Sequence, residues 1–448
     1  MPSIPPIVTQ PSHWLMGGAA YYAQRAPLKW IPTWAKEYGD IYTITSRLGS
    51  AHIVTNPELA RQVLVEKYRH YLEKGRAYAV LRVLMGNGLV TSSGEFWRGQ
   101  RKLTQPAFHR RRLDAIFSMM VDRARAYSDR LAETRDGIDV APLFSQLTLE
   151  IISRAMFSTD VESDAAHVGS YIATLNEGAL KTLRHPWRLL LPRKISTPFT
   201  RHEFAARTSL NRMVNLIIAR RRAEGAEGHD DLLAMFLSAC DEETGRGMTD
   251  LQLRDEVMTM FVAGHETTAN AMCWLLHLLS KNPEITQQIQ SEIDAAGDAL
   301  DRGDLSAFSL TRRAIEESLR IYPTIWSVGR RCVQDDQLGD YEIKTGSNLI
   351  IPIFHFHWSE KWWDDPEKFD PDRFLPENRP GPEIYFPFGA GPRTCIGNQF
   401  AMQELVIMTV VFLKRFEVLP VPEFQIEPDP LITLRPKYGM NLKFRERT

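Results

Sequence analysis

The stretch Phe388-Gly389-Ala390-Gly391-Pro392-Arg393-Thr394-Cys395-Ile396-Gly397 carries more information than any other part of the chain. Its glycines let backbone approach a large flat partner closely. The residues after it, Asn398 to Phe416, have the spacing of a strong helix. A helix starting just past Cys395 offers free N–H groups and a positive dipole end, which stabilise a thiolate, and Arg393 adds a cation nearby. Two readings of Cys395 follow. It is a buried cysteine in a glycine-rich turn, or a thiolate held ready as a soft ligand for iron.

Working outward, Leu251–Ser280 has helical spacing and clear ends. Thr249-Asp250-Leu251-Gln252 fits a capping box, and Asn282-Pro283 supplies the stop. At ~1.5 Å per residue such a helix is ~45 Å long, enough to span a domain. Midway along it lies Ala263-Gly264-His265-Glu266-Thr267-Thr268. Ala263 and Thr267 share a face, and a threonine hydroxyl can bond back to the carbonyl four residues earlier. His265-Glu266-Thr267-Thr268-Ala269 nearly matches H-E-x-x-H, but Ala269 replaces the second metal ligand and excludes a zinc protease. Glu317-Ser318-Leu319-Arg320 sets a glutamate three residues before an arginine, a pair worth only ~0.2–0.5 kcal/mol on a helix surface. Arg201–Arg222 and Leu143–Phe157 are further helix candidates, and Gly225–Asp231 is a polar break. Ile41–Ile44 and His52–Val54, around Leu48-Gly49-Ser50, read as a hairpin, as does Tyr341–Ile351 with its turn at Gly346.

Phe388-x-x-Gly391-x-Arg393-x-Cys395-x-Gly397 resembles the heme-binding signature of the cytochrome P-450 family. The resemblance runs from about Trp34 to Lys443, with the other motifs in family order. It implies a mainly α fold with small β-sheets and a long central helix over a buried heme b (iron protoporphyrin IX). Cys395 would be the axial ligand and the metal-binding residue, with Phe388, Gly391 and Gly397 shaping its loop. Trp97 and Arg101, in Trp97-x-x-x-Arg101, would bind a heme propionate together with Arg330 and Arg393. Arg331 is adjacent to Arg330, so that choice stays open by one residue, and His357 is a weaker candidate. Ala263 would border the oxygen groove, with Glu266 and Thr267 as the acid–alcohol pair that relays protons. Glu317 and Arg320 would tie to Arg373 and hold the aperiodic stretch from Ser359 to Pro387. The loop Leu81–Val90, the segment His185–Phe199, the first half of the long helix (Met258–Ala263) and the tail near Leu431–Leu434 would line an apolar substrate pocket.

Composition sets the remaining bounds. The 448 residues are 44% hydrophobic and carry a net charge of -1, which argues against a chain-wide nucleic-acid role. Cys240, Cys273, Cys332 and Cys395 are irregularly spaced, so neither a disulfide framework nor structural zinc is expected. No apolar run reaches ~18 residues and the start lacks a basic region, so the expectation is a cytoplasmic protein with no membrane anchor. The length suggests two or three domains, yet no linker is evident. The resemblance implies one domain over 1–448.

Counting from Cys395, 448 − 395 = 53 residues remain, and no G-x-G-x-x-G occurs. Electrons are therefore expected from a ferredoxin or flavodoxin with its reductase, docking on the basic cluster of Arg98, Arg101, Lys102 and His109–Arg112. The favoured reading is a monooxygenase that inserts one atom of O2 into a hydrophobic small molecule (fatty-acid, terpenoid or polyketide-like). A peroxide-driven heme-thiolate enzyme and a non-catalytic heme sensor are the alternatives.

Overall fold

The computed structural model describes the chain apart from residues 1–2, 10–17, 47–48, 76–77, 134–136, 158–161, 185–187, 189–196, 226–230, 242–244 and 448. Leu48, most of His185–Phe199 and most of the break at Gly225–Asp231 thus lie outside the described residues. The chain folds into two compact units, each discontinuous in sequence. The first comprises Met1–Ala79, Glu316–Cys395 and Asp429–Arg435, and the second comprises Val80–Ile315, Ile396–Pro428 and Pro436–Thr448. The mainly α architecture with small separate sheets agrees with the fold class expected from the sequence.

The first unit is built on a four-stranded sheet. Ile41–Ser46 pairs antiparallel with Gly49–Val54 as the sequence predicts. Gly49–Val54 then pairs parallel with Asn348–Ile351, which pairs antiparallel with Val328–Arg331. Alternating apolar residues put Tyr42, Ile44 and Ile53 on one face, buried with Trp34 and Phe354. Ile41, Val54, Leu349 and Ile351 fill a second core that reaches Phe356 and Phe386. Each such burial contributes about 1.5–3 kcal/mol.

The expected hairpin over Tyr341–Ile351 is not formed. Tyr341–Ile343 instead pairs with Asp336–Leu338 across a two-residue turn, in which Gly339 has φ +56°. The turn at Gly346 (φ +87°) sends the next strand into the four-stranded sheet. A glycine at each of two turns offered two hairpin registers, and the tighter one forms.

The second unit is organised around the helix Asp250–Lys281, 32 residues and therefore ~48 Å long. The capping box is present: Thr249 Oγ1 accepts from Gln252 N at 3.3 Å, and Gln252 Oε1 accepts from Thr249 N at 2.8 Å. Asn282 ends it, since a residue before proline is pushed out of helical geometry. The largely apolar runs on either side of its polar centre, Val257–Val262 and Ala271–Leu279, are buried because the helix is covered on several sides. Val140–Phe157 packs on it, with Phe157 and Phe261 rings 5.6 Å apart and Thr148 Oγ1 donating to the His265 carbonyl at 3.0 Å. Asn398–Arg415 covers another side. Strands Ile138–Asp139 and Phe416–Pro420 flank Asn441–Glu446 in a small antiparallel sheet. Among the described residues no helix is long and apolar enough to cross a membrane.

Candidate functional site

In the first unit the glycine-rich loop ends at an exposed thiol. Cys273 and Cys332 are buried, whereas Cys395 is exposed. The Cys395 N–H donates to the Phe388 carbonyl at 2.9 Å, which closes the loop on itself. Gly389 and Gly391 take φ +73° and +69°, the left-handed region that glycine enters without strain. Gly391 is further confined because a Cβ there would overlap the Leu64 carbonyl oxygen and come within 3.2 Å of Val65 Cα. Gly391→Ala should therefore cost about 2–4 kcal/mol in denaturant unfolding. In the second unit, Gly397 has φ -93°, and a Cβ would meet only Phe108 Cε1, at 3.8 Å. Gly397→Ala should consequently lie within about 1 kcal/mol of wild type in the same assay.

The loop is anchored by the glutamate–arginine pair. Arg320 donates to Glu317 through Nε and Nη2 at 2.7 and 2.8 Å, and to the His357 carbonyl at 2.7 Å. His357 Nε2 accepts from Phe386 N at 3.2 Å, and the Phe386 carbonyl accepts from Gly389 N at 2.8 Å. Hydrogen bonds thus run from Arg320 into the Cys395 loop. Burial and the Arg320 charge push His357 down to about 3, so it is neutral and its Nδ1 proton faces the Arg320 carbonyl. That uses both ring nitrogens within the fold and leaves none for a ligand. Arg373 Nε lies 3.4 Å from Glu317, as the family resemblance implies.

The same unit gathers three cations. Arg330 is buried, and Arg393 Nη2 donates to the Leu72 carbonyl at 3.0 Å. Lys74 joins them, its ammonium driven well below 10.5 by burial and then by the Arg330 and Arg393 charges. Arg331, by contrast, is exposed and paired with Glu73 at 3.2 Å, which favours Arg330 of the two candidates. Nothing local in the sequence marks Lys74; only tertiary folding brings it beside residues some 250 or more positions on. Mutually repelling cations suit a ligand edge that carries two carboxylates, as the heme propionates do. An exposed thiol and this cation set fit heme b.

In the second unit Trp97 is buried and Arg101 half-buried on the helix Gly94–Thr104, four residues apart and so on one face. On the long helix, Thr267 Oγ1 donates to the Ala263 carbonyl at 2.6 Å. With its proton so engaged, the hydroxyl oxygen is left as an acceptor. Gly264 leaves little room beside it, since a Cβ would sit 3.1 Å from Ile152 Cγ1. Glu266 is half-buried, and its Oε2 accepts from Asn176 Nδ2 at 2.7 Å. Sequence reading misses Asn176, a lone amide within the helix Glu162–Arg184 that no motif distinguishes.

Comparison with known proteins agrees with this reading. The family model for cytochrome P-450 matches residues 6–444. The chain is 32% identical to the cyclooctat-9-en-7-ol 5-monooxygenase of Streptomyces melanosporofaciens, over 89% of this chain and 86% of that protein. Pentalenene oxygenase of Streptomyces avermitilis is 32% identical over 96% of this chain and 95% of its own length. The chloroplastic carotene epsilon-monooxygenase of Arabidopsis thaliana is 30% identical over 97% of this chain and 83% of its own. A chain matched from end to end in this way belongs to the cytochrome P-450 family of heme b-dependent monooxygenases.

Proposed function

We propose that this enzyme oxygenates a hydrophobic, terpenoid-class hydrocarbon with electrons from a separate ferredoxin or flavodoxin. The relatives named for cyclooctat-9-en-7-ol, pentalenene and carotene support the substrate class. Met85, Leu89, Met258, Phe261 and Val262 are buried and apolar in the second unit, which suits such a ligand. Val90 is half-buried, and the side chain of Leu84 lies outside the described residues. For the electron donor the support is the basic stretch: Arg98, Lys102, His109, Arg110 and Arg111 are exposed, with Arg98 paired to Glu95 and Lys102 to Asp241.

Cys395 would hold the heme iron, with Lys74, Arg330 and Arg393 of the same unit serving its propionates; the family motif would add Trp97 and Arg101 as propionate donors. Thiolate-ligated heme supplies O2 activation, with one oxygen atom inserted into the substrate and the other leaving as water. That stoichiometry consumes two electrons and two protons per turnover, and the chain's task is to deliver the protons. Glu266 carries them, with one carboxylate oxygen fixed by Asn176. Thr267 takes the next position: its own proton is committed to Ala263, so its oxygen receives a hydrogen bond and orients the donor.

The observation that carries this reading is that hydrogen bond beside an acid fixed by an amide. Neither a peroxide-driven enzyme nor a heme sensor needs a proton relay. Thr267→Ala should lower product formed per electron pair by about tenfold, less than the ~100-fold or more of a fully lost proton-transfer group because water substitutes for the hydroxyl. Hydrogen peroxide should rise in compensation. Full product yield from the variant, or wild-type activity with peroxide alone that equals activity with ferredoxin and reductase, would overturn the relay.

A further inference from the structure

The long helix carries a second acid pair that the proton relay does not use. Asp255 and Glu256 are buried about two turns before Ala263 and the oxygen groove. They bond to the backbone of the loop Gly86–Leu89. Asp255 Oδ2 accepts from Asn87 N at 2.7 Å, and Glu256 Oε2 accepts from Leu89 N at 3.1 Å. Glu256 Oε1 also accepts from Gln100 Nε2 at 2.9 Å, which ties in the helix Gly94–Thr104. The loop lies so tightly on the long helix that a Cβ at Gly88 would overlap Thr259 Oγ1 and the Asp255 carbonyl. At Gly86 (φ +71°) a Cβ would overlap the Asp255 carboxylate. One fully buried carboxyl therefore joins three segments.

We propose that Glu256 is a positioning residue that latches Gly86–Leu89 onto the long helix and releases it on losing its proton. The role in substrate capture rests on the reading above, in which this loop lines the pocket. Burial sets the proton dependence, since the two donors facing Glu256 favour its ionised form. From the loop it meets an amide N–H and from the helix Gly94–Thr104 a neutral amide; on its own helix it meets the Asp255 carboxylate, itself paired with Arg254. Burial, opposed in part by the Leu89 and Gln100 hydrogen bonds and reinforced by Asp255, raises it from 4.5 to about 7. A carboxyl freed into water returns to its ordinary value. The proton's contribution to the latched state is therefore complete below 4.5 and is lost as pH rises through about 7.

The test is hydrogen–deuterium exchange on the heme-loaded enzyme over residues 86–91, corrected for intrinsic exchange. It is paired with stopped-flow dissociation of a bound hydrophobic terpene. Between roughly pH 5.5 and 7.5 the opening equilibrium should rise about twentyfold, and dissociation should accelerate with it. Glu256→Gln keeps the shape and the Leu89 bond, and should flatten both profiles. Gly88→Ala should open the loop at every pH. A flat exchange profile in wild type, or an unchanged one in Glu256→Gln, overturns the latch itself. Exchange that responds while dissociation does not overturns the pocket reading, and with it the positioning role.

Discussion

Replacing Arg320 by methionine should cost the first unit about 3–5 kcal/mol, the penalty for leaving a buried partner charge uncompensated. Arg320 and Glu317 are both wholly buried. Besides Glu317, the guanidinium donates to the His357, Pro366 and Lys368 carbonyls at 2.7, 2.8 and 3.3 Å, and lies 4.8 Å from the Trp363 ring. Methionine matches much of the volume and supplies none of those donors. Glu317 would keep only the Asp370 N–H at 3.0 Å and Arg373 at 3.4 Å, and burial already raises its carboxyl above the ordinary range. Urea unfolding should show a lower midpoint at unchanged slope. The loss should extend to heme content, since His357 and Phe386 connect Arg320 to the Cys395 loop. Arg331→Met is the control: Arg331 and its partner Glu73 are each 45% exposed and 3.2 Å apart, so its loss should cost below about 1 kcal/mol. Equal costs for the two variants would show that the buried pair is no more than a surface pair.

The contrast between these arginines shows where sequence reading succeeds. The spacing of Glu317 and Arg320 is visible locally, but a local pair carries a surface-pair energy. Its real weight comes from Pro366, Lys368 and Asp370, some fifty residues on, and follows only from the family's motif order. The long helix is legible because its cap, its helical spacing and its stop are all local. The hairpin at Tyr341–Ile351 was misjudged because Gly339 and Gly346 are equally good turn formers, and sheet partners nearly 300 residues away decide between them. Lys74, Asn176 and Glu256 left no trace, each for the same reason. A polar residue in an amphipathic stretch looks solvated until the fold shows what it faces. The relay residues Glu266 and Thr267 could be named from the sequence, whereas the amide that fixes Glu266 could not.

Changing Cys395 to serine should abolish the red-shifted Soret band that thiolate ligation gives the reduced carbon-monoxide complex. Turnover should fall on the order of a thousandfold, equivalent to about 4 kcal/mol of barrier. Thiolate is a soft, strongly donating ligand that pushes electron density onto iron, and a serine hydroxyl, close to it in shape, is neither ionised at neutral pH nor soft. The substitution leaves the loop otherwise intact, because the Cys395 backbone N–H keeps its bond to Phe388 and the anchoring through His357 is untouched. Lys74, Arg330 and Arg393 also remain, so the variant should still bind heme, more weakly, in a form without the thiolate spectrum. That outcome separates the two jobs assigned to the first unit: the cations retain the cofactor and the sulfur tunes it. Cys240 is the proper control, being the other exposed thiol, and Cys240→Ser should leave spectrum and turnover unchanged. A thiolate band that survives in Cys395→Ser and vanishes in Cys240→Ser would transfer the ligand role to the second unit.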